Sequence, residues 1–429
     1  MNNFLRKLRI IFKDKDLRKK ILFVLFILVL FRIGANIPIP GIDQLKLQSF
    51  LAGNQFFGLL NIFSGGGLSN LSIAMLGVAP YITATIIMQL MTMISPRLKE
   101  LYHEEGEIGR QKFNQYSRIL TVPLAAMQGF GLLALLEKGG VLTSPTLFDR
   151  FLNIIIVVTG SIILMWLGEL ISEHGIGNGI SLLIFAGIVA SIPTTLNQLI
   201  FQYVYPNFDP SILPLAFGFL VAAVFIIAGV VLITEADRPI PISYAKQVRG
   251  MKMYGGVSTH LPLRVNQAGV IPIIFAISIL LFPQMIANVL SKFSHPIFNS
   301  LSNFLSIFVN NAWIYGSLYF VLVFLFTYFY TAVTFDPEAI STNLQKSGAF
   351  IPGIRPGRST AEFIAKILHR ITLVGAVFLG LIAVLPLVMR AFTNNPALAI
   401  GGTALLIVVS VILETIKQTE SQIVMREYE

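Results

Sequence analysis

Ten long apolar runs constrain this chain more than any other feature. They lie at 21–37, 71–94, 116–136, 151–171, 179–200, 212–234, 267–290, 313–334, 371–389 and 397–416. A helix needs about 20 apolar residues to cross the hydrocarbon core of a bilayer, and these runs are of that order. Charged residues make up 12% of the 429 and hydrophobic residues 55%, against about 25% charged in soluble domains. The chain therefore reads as an integral membrane protein of many spans. A further apolar stretch, 297–312, is dotted with Asn and Ser and reads as external, not as an eleventh span. The absence of cysteine excludes disulfides and thiolate metal sites.

A net charge of +10 would suggest nucleic acid in a soluble protein; here its distribution carries the information. With the N-terminus inside, inner segments hold 25 of the 31 Lys/Arg and outer segments five (Lys46, Lys138, Arg150, Lys292, Arg390). Arg32 sits within the first run, near its outer end, where it can snorkel or bind a carbonyl. By the positive-inside rule both termini are cytoplasmic. Residues 1–20 carry eight Lys/Arg, with Phe4, Leu5, Leu8, Ile11 and Phe12 at helical spacing, and so read as a basic amphipathic segment on the membrane surface. A cleaved signal peptide is the alternative, but no small-residue cleavage site follows.

Two inner loops are unusually long. Glu235–Asn266 alternates β-favouring stretches around a basic tip at Lys246, Arg249 and Lys252; Asp336–Arg370 contains Ile354-Arg355-Pro356-Gly357-Arg358 and a helix-like segment from Thr360. Loops beyond about 12–15 residues are usually functional or disordered. Cationic loops can retain topology or touch anionic lipid, but hairpin-forming sequence makes these look like docking surfaces for a cytosolic partner.

From Phe56 the chain reads FFGLLNIF, too short to span, then Ser64-Gly65-Gly66-Gly67, then the second run with Gly77 and Pro80 inside it. A half-helix, a glycine break and a polar-dotted span suit backbone buried at membrane depth, or a short interfacial helix outside it. Gly77-Val78-Ala79-Pro80-Tyr81-Ile82 also resembles Gly269-Val270-Ile271-Pro272-Ile273-Ile274 in the seventh run. Five spans per half force the halves into opposite orientation, the inverted-repeat arrangement. The expected fold is all-α and polytopic: ten transmembrane helices in two inverted five-helix halves around a central pore.

Catalytic motifs are missing. No HExxH, GxSxG or P-loop occurs, and all five histidines lie in loops or at span edges. An ion-coupled solute transporter, the other class considered, needs ionisable groups near the midplane. Here Glu169 and Glu235 fall near the cytoplasmic ends, leaving Arg32 as the embedded charge. The pairs Val78/Ile82 and Ile184/Ile188, four residues apart, are either core packing or part of an aliphatic constriction.

Several stretches strongly resemble the SecY family, the channel subunits of Sec protein-translocation complexes. They are Phe31-Arg32-Ile33-Gly34 with Ile37-Pro38-Ile39-Pro40-Gly41, Asn61-Ile62-Phe63-Ser64-Gly65-Gly66, Pro80-Tyr81-Ile82-Thr83-Ala84, Gly175-Ile176-Gly177-Asn178-Gly179-Ile180-Ser181, Arg264-Val265-Asn266, and Ile351-Pro352-Gly353-Ile354-Arg355-Pro356-Gly357. The resemblance runs from Leu5 to about Val424. It implies a protein-conducting channel that is not itself an enzyme and needs no cofactor. Its halves would be 21–200 and 212–416, joined externally by 201–211, with inner loops 235–266 and 336–370 and a cytoplasmic tail at 417–429.

By the same resemblance the pore ring is Val78, Ile82, Ile184, Ile188, Ile274 and Ile407, with valine at 78 where isoleucine is commoner. A plug at 56–70 includes Phe57, Leu60, Ile62, Phe63, Ser64, Gly65 and Gly66. A lateral gate between spans two and seven carries Thr83, Thr85, Gln89 and Asn266, of which Thr83, Gln89 and Asn266 are expected to hydrogen-bond across the seam. Lys246, Arg249, Lys252, Arg355 and Arg358 would dock the ribosome and the SecA ATPase. Further implied partners are SecE-like and SecG-like membrane subunits, polypeptide substrates and the lipid bilayer, in a bacterial inner membrane.

Overall fold

The structure, a computed structural model, describes residues 14–41, 47, 64–142, 146–203, 213–244, 247–249, 252–254, 258–290, 296–393 and 401–427. In chain order the helices of the first half are α1 (Lys15–Gly34), α2 (Ala79–Ile94), α3 (Pro96–His103), α4 (Gly106–Lys138), α5 (Leu147–His174) and α6 (Gly179–Tyr203). Then come α7 (Leu213–Glu235), β1 (Asp237–Tyr244), β2 (Gln247–Arg249), β3 (Lys252–Tyr254), β4 (Ser258–Arg264), α8 (Ile271–Leu290) and α9 (Pro296–Asn310). The chain continues with α10 (Ala312–Thr334), α11 (Pro337–Lys346), β5 (Ala349–Phe350), α12 (Arg358–Thr393) and α13 (Gly401–Glu427).

Ten of these helices coincide with the ten apolar runs. Four described segments, within α4, α5, α10–α11 and α12, are long and apolar enough to cross a membrane by length and composition; α2, α6, α7 and α8 carry shorter apolar stretches. On α1, Leu22, Leu25, Phe26, Val29 and Ile33 form an exposed apolar stripe, while Leu17, Ile27 and Phe31 are buried. Such outward apolar faces suit lipid as solvent, where packing and not water exclusion holds helices together. α9, at 15 residues, is about 22 Å long at 1.5 Å per residue, too short for a core about 30 Å thick. It packs on α8, where Ser302 donates to the Ala287 carbonyl at 2.8 Å.

Several expected boundaries move. Residues 15–20 are the start of α1 and not a separate surface segment, because Asp14 caps the helix there, accepting from the amides of Asp16 (2.8 Å) and Leu17 (3.3 Å). α4 begins ten residues before its apolar run, α13 extends to Glu427, and the segment from Thr360 is continuous with span nine in α12. The start of α5 is held by a capping box between Thr146 and Asp149. Hydrogen bonds from Thr146 hold the exposed Asp149 carboxyl below the usual carboxylate range.

The largest correction concerns the second run. Leu71–Val78 forms turns, and α2 starts only at Ala79. Ile39 donates to the Leu71 carbonyl (2.9 Å) and Ile73 to that of Ile37 (3.0 Å), so the chain after α1 clamps this segment. Leu71, Ser72, Met75, Leu76 and Val78 are buried. Non-helical backbone persists at membrane depth only under such cover.

The two halves meet where α8 packs against α2 and α4, and where α13 packs against α6. The weak internal repeat has a structural counterpart at this junction. Gly77 and Gly269 both have φ +59°, a left-handed conformation glycine adopts freely. Each enters a helix two residues later, with Pro80 or Pro272 at its second position. Proline at the first turn loses nothing, since its missing N–H would have no helical partner. The same turn therefore aims α2 and α8, and places Ile82 and Ile274 five residues past equivalent glycines.

Candidate functional site

One buried core cluster contains all six residues expected to form a ring. Val78 (from the turn before α2), Ile82 (α2), Ile184 and Ile188 (α6), Ile274 (α8) and Ile407 (α13) are each at most 6% exposed. These six come from α2 with its preceding turn and α6 of one half, and from α8 and α13 of the other. Those helices pack across the two junctions, within a larger cluster that also draws on α1, α5, α7, α10 and α12. Branched aliphatic side chains leave no polar group that an ion could use in place of its hydration shell.

Beside the ring lies a cavity of about 330 Å³ between the halves. Tyr81, Ile82, Thr85 and Gln89 of α2 line one side, with Arg118 of α4 and Glu169 of α5 behind them, and Ile271, Ile274 and Phe275 of α8 form the opposite wall. Thr85 and Gln89 thus face this cavity between α2 and α8. Thr83 is buried and lies outside this lining.

The hydrogen bonds of these residues stay on their own side. Thr83 donates to the Ala79 carbonyl (2.9 Å) and Thr85 to that of Tyr81 (2.9 Å), both one helical turn back. Asn266 donates to Gly269 (3.2 Å), bracing the turn into α8, and its backbone lies against Gly375 of α12. The side-chain oxygens of Gln89 and Asn266 are buried without partners. Among the described residues no hydrogen bond of this quartet crosses from α2 to α8, so apolar contact closes the seam. The physical reason is local: a helical threonine reaches its own i−4 carbonyl more readily than a neighbouring helix.

Sequence reasoning missed an ion pair at this seam. The Arg118 guanidinium lies 2.8 Å from Glu169, whose carboxylate also accepts from the Tyr81 hydroxyl at 3.5 Å. Both charges fall inside apolar runs, at 116–136 and 151–171. Arg32 is therefore not the lone embedded charge, and the signal that could have found the pair was each charge's position within its run. Glu235, by contrast, pairs with Lys417 at 2.8 Å, tying α7 to α13.

At the opposite end of α1, Arg32 donates through Nη1 to the Gly65 carbonyl at 3.0 Å. The Phe31 ring lies so close beneath that a Cβ at Gly65 would overlap it, and φ of +66° there also favours glycine. Ser64 is buried and accepts from the Leu68 amide at 3.0 Å. Asn70 donates to Asn36, two residues past the end of α1, at 3.1 Å, a second link to this segment. Of the expected plug residues, Ser64, Gly65 and Gly66 are described; Phe57, Leu60, Ile62 and Phe63 lie outside the described residues.

The two basic loops share one base. β1 pairs antiparallel with β4 and with β5 in a three-stranded sheet, while β2 and β3 form a hairpin with Arg249 opposite Lys252. Ile240, Leu263, Ile351, Ile364, Ile367 and Leu368 form a small core joining this sheet to the start of α12. The 353–357 turn is braced where Ser341 donates to Gly357 (2.6 Å) and Thr360 to the Arg355 carbonyl (2.9 Å). Arg355 is exposed; Arg358 pairs with Glu362 at 3.2 Å, both largely in solvent. Lys246 lies outside the described residues.

Comparison with known proteins places these features in one lineage. The SecY family model matches residues 72–416. The protein translocase subunit SecY of Mycobacterium tuberculosis is 43% identical over 439 residues, covering 96% of each chain. A SecY channel structure, described as one whose plug domain stabilises the closed state and maintains a membrane seal, superposes with a TM-score of 0.64. It is 22% identical and covers 93% of this chain and 91% of that one. Sec61 from a canine ribosome–channel complex has the same fold, with a TM-score of 0.58, 20% identity, and coverage of 93% and 91%. On the match to its family model and on this identity along nearly its whole length, the chain belongs to the SecY family.

Proposed function

We propose that this chain is the membrane subunit that conducts unfolded polypeptides, with the ring formed by Val78, Ile82, Ile184, Ile188, Ile274 and Ile407 as its seal. The observation that carries this reading is the gathering of all six into one buried cluster at the junctions between the halves. A passing chain can push branched side chains aside because they hold no fixed polar partners, and they close again when it leaves. The segment up to Gly65–Gly67, tied to α1 by Arg32, is the second barrier. The seam between α2 and α8 is the sideways exit for signal sequences and membrane segments, lined by Thr85 and Gln89. Thr83 and Asn266 stiffen the two helices that part.

The halves are 21–200 and 212–416, with both termini and the basic loops cytoplasmic, as the Lys/Arg distribution supports. Lys246, Arg249, Lys252, Arg355 and Arg358 receive anionic partners: the ribosome, as for the canine relative's complex, and a SecA-type ATPase. Small SecE-like and SecG-like subunits complete the assembly in a bacterial inner membrane. The energy comes from those partners, and this chain performs no catalysis.

Single-channel recording in planar bilayers tests the seal. Replacing Ile82, Ile184 and Ile274 together with serine wets the ring and raises resting conductance. A triple variant as ion-tight as the parent would show that the seal lies elsewhere.

A further inference from the structure

A second cavity, of about 230 Å³, opens at the start of α12, away from the seam. Arg238 of β1 lines one side, and Phe363, Lys366, Ile367 and Arg370 of α12 the other. Ile367 belongs to the small core that also holds Ile240 of β1, so both walls are fixed to one base. Three cations converge there. Among the described residues none of them is ion-paired with a carboxylate, and Glu362, one turn earlier on α12, is engaged by Arg358. Like charges held together repel, more strongly beside a low-dielectric wall than in water. An anion in the cavity relieves that repulsion.

The apolar surroundings identify which anion. Directly after Arg370 the helix enters its apolar run, and Lys366, Arg370, Leu373, Val374, Val377 and Leu381 follow at three- and four-residue spacing on one face. Leu373, Val374 and Leu381 are 48%, 51% and 60% exposed. Cationic pocket above, apolar stripe below: this is the division of a phospholipid into head and tail. We propose that the cavity binds the phosphate of an anionic phospholipid, whose acyl chains lie along that stripe. The inference rests on the reading of α12 as a span, and under the proposed orientation the lipid belongs to the cytoplasmic leaflet. It adds a lipid ligand that braces β1 against α12, beneath the two basic loops.

Native mass spectrometry of the purified protein, titrated with phosphatidylglycerol or with phosphatidylcholine of identical chains, tests it. Each basic residue near an anionic headgroup is worth about fivefold in affinity. Arg238→Gln, Lys366→Gln and Arg370→Gln combined should therefore weaken phosphatidylglycerol binding by about a hundredfold, leaving phosphatidylcholine unaffected. The charge-keeping pair Lys366→Arg with Arg370→Lys should retain binding, which separates lost charge from lost folding. Neutralising Arg97, Lys99 and Arg110 elsewhere on the inner side should change nothing. Undiminished phosphatidylglycerol binding by the triple variant overturns the proposal. So does displacement of the lipid by millimolar inorganic phosphate, which marks a general anion site. Undiminished lipid binding by the triple glutamine variant leaves the channel reading intact, and an ion-tight triple-serine ring leaves this one intact.

Discussion

Arg32 links α1 to the Gly65 turn of the proposed plug segment. A hydrogen bond to a charged group is worth about 1.5–3 kcal/mol, and this one ends on the backbone of a glycine that turns under a phenyl ring. Arg32→Gln shortens the reach and removes the charge, so the Gly65 turn should loosen. The expected outcome is more frequent brief openings in planar-bilayer recordings, with normal protein yield; a parental closed state would remove Arg32 from the seal. At the seam, Glu169 is nearly enclosed while Arg118 is partly wet, with side-chain exposures of 13% and 41%. Losing that partnership should cost between the about 0–1 kcal/mol of an exposed pair and the about 3–5 kcal/mol of a buried one. Glu169→Gln should lower the thermal midpoint in detergent, and adding Arg118→Gln should recover part of the loss, since no charge is then stranded.

The helices proposed to part at the gate are α2 and α8, entered by the same glycine turn and packed on each other. No hydrogen bond of the Thr83, Thr85, Gln89 and Asn266 quartet bridges them among the described residues, so their separation breaks only apolar contact. That suits a gate opened by an apolar segment, which offers equivalent contact in return. Because the chain lacks cysteine, Thr85→Cys and Phe275→Cys, facing one cavity from α2 and α8, introduce one defined pair. Joining them with a short bifunctional thiol reagent should block translocation of a signal-bearing substrate into proteoliposomes, and cleaving the link should restore it. Unimpeded transport with the link intact would argue against parting of this seam.

Across the whole molecule, the channel and the proposed docking surface are built on different materials. The channel halves are helix packing in lipid; the basic loops stand on a small sheet and its own hydrophobic core, outside the apolar runs. Arg355 projects from a turn braced by two side-chain hydrogen bonds, so its position is set before any partner arrives. A guanidinium can meet phosphate or carboxylate with two parallel hydrogen bonds. Arg355→Glu should abolish translocation driven by the cytosolic partner while membrane insertion and the closed conductance stay normal. Wild-type secretion in that variant would remove Arg355 from the docking surface.

The ten apolar runs that form helices, the two long basic loops, the hairpin around Arg249 and Lys252, and the glycine–proline repeat were legible in the sequence. Each depends on local composition or on spacing along one element, which a chain carries in its own order of residues. Leu71–Val78 shows where that ends. Its apolarity states that the segment is buried, but burial in protein and burial as a helix look alike in hydropathy. The clamp by Ile37–Ile39, far earlier in the chain, made it turns. Spacing singled out Val78/Ile82 and Ile184/Ile188 but left core packing and a constriction equally open. The set of six came only through resemblance, because helices distant in sequence bring them together. The Arg118–Glu169 pair and the cation-lined cavity beside α12 arise in the same way. Partners across a fold are chosen by packing, and tertiary structure alone decided them.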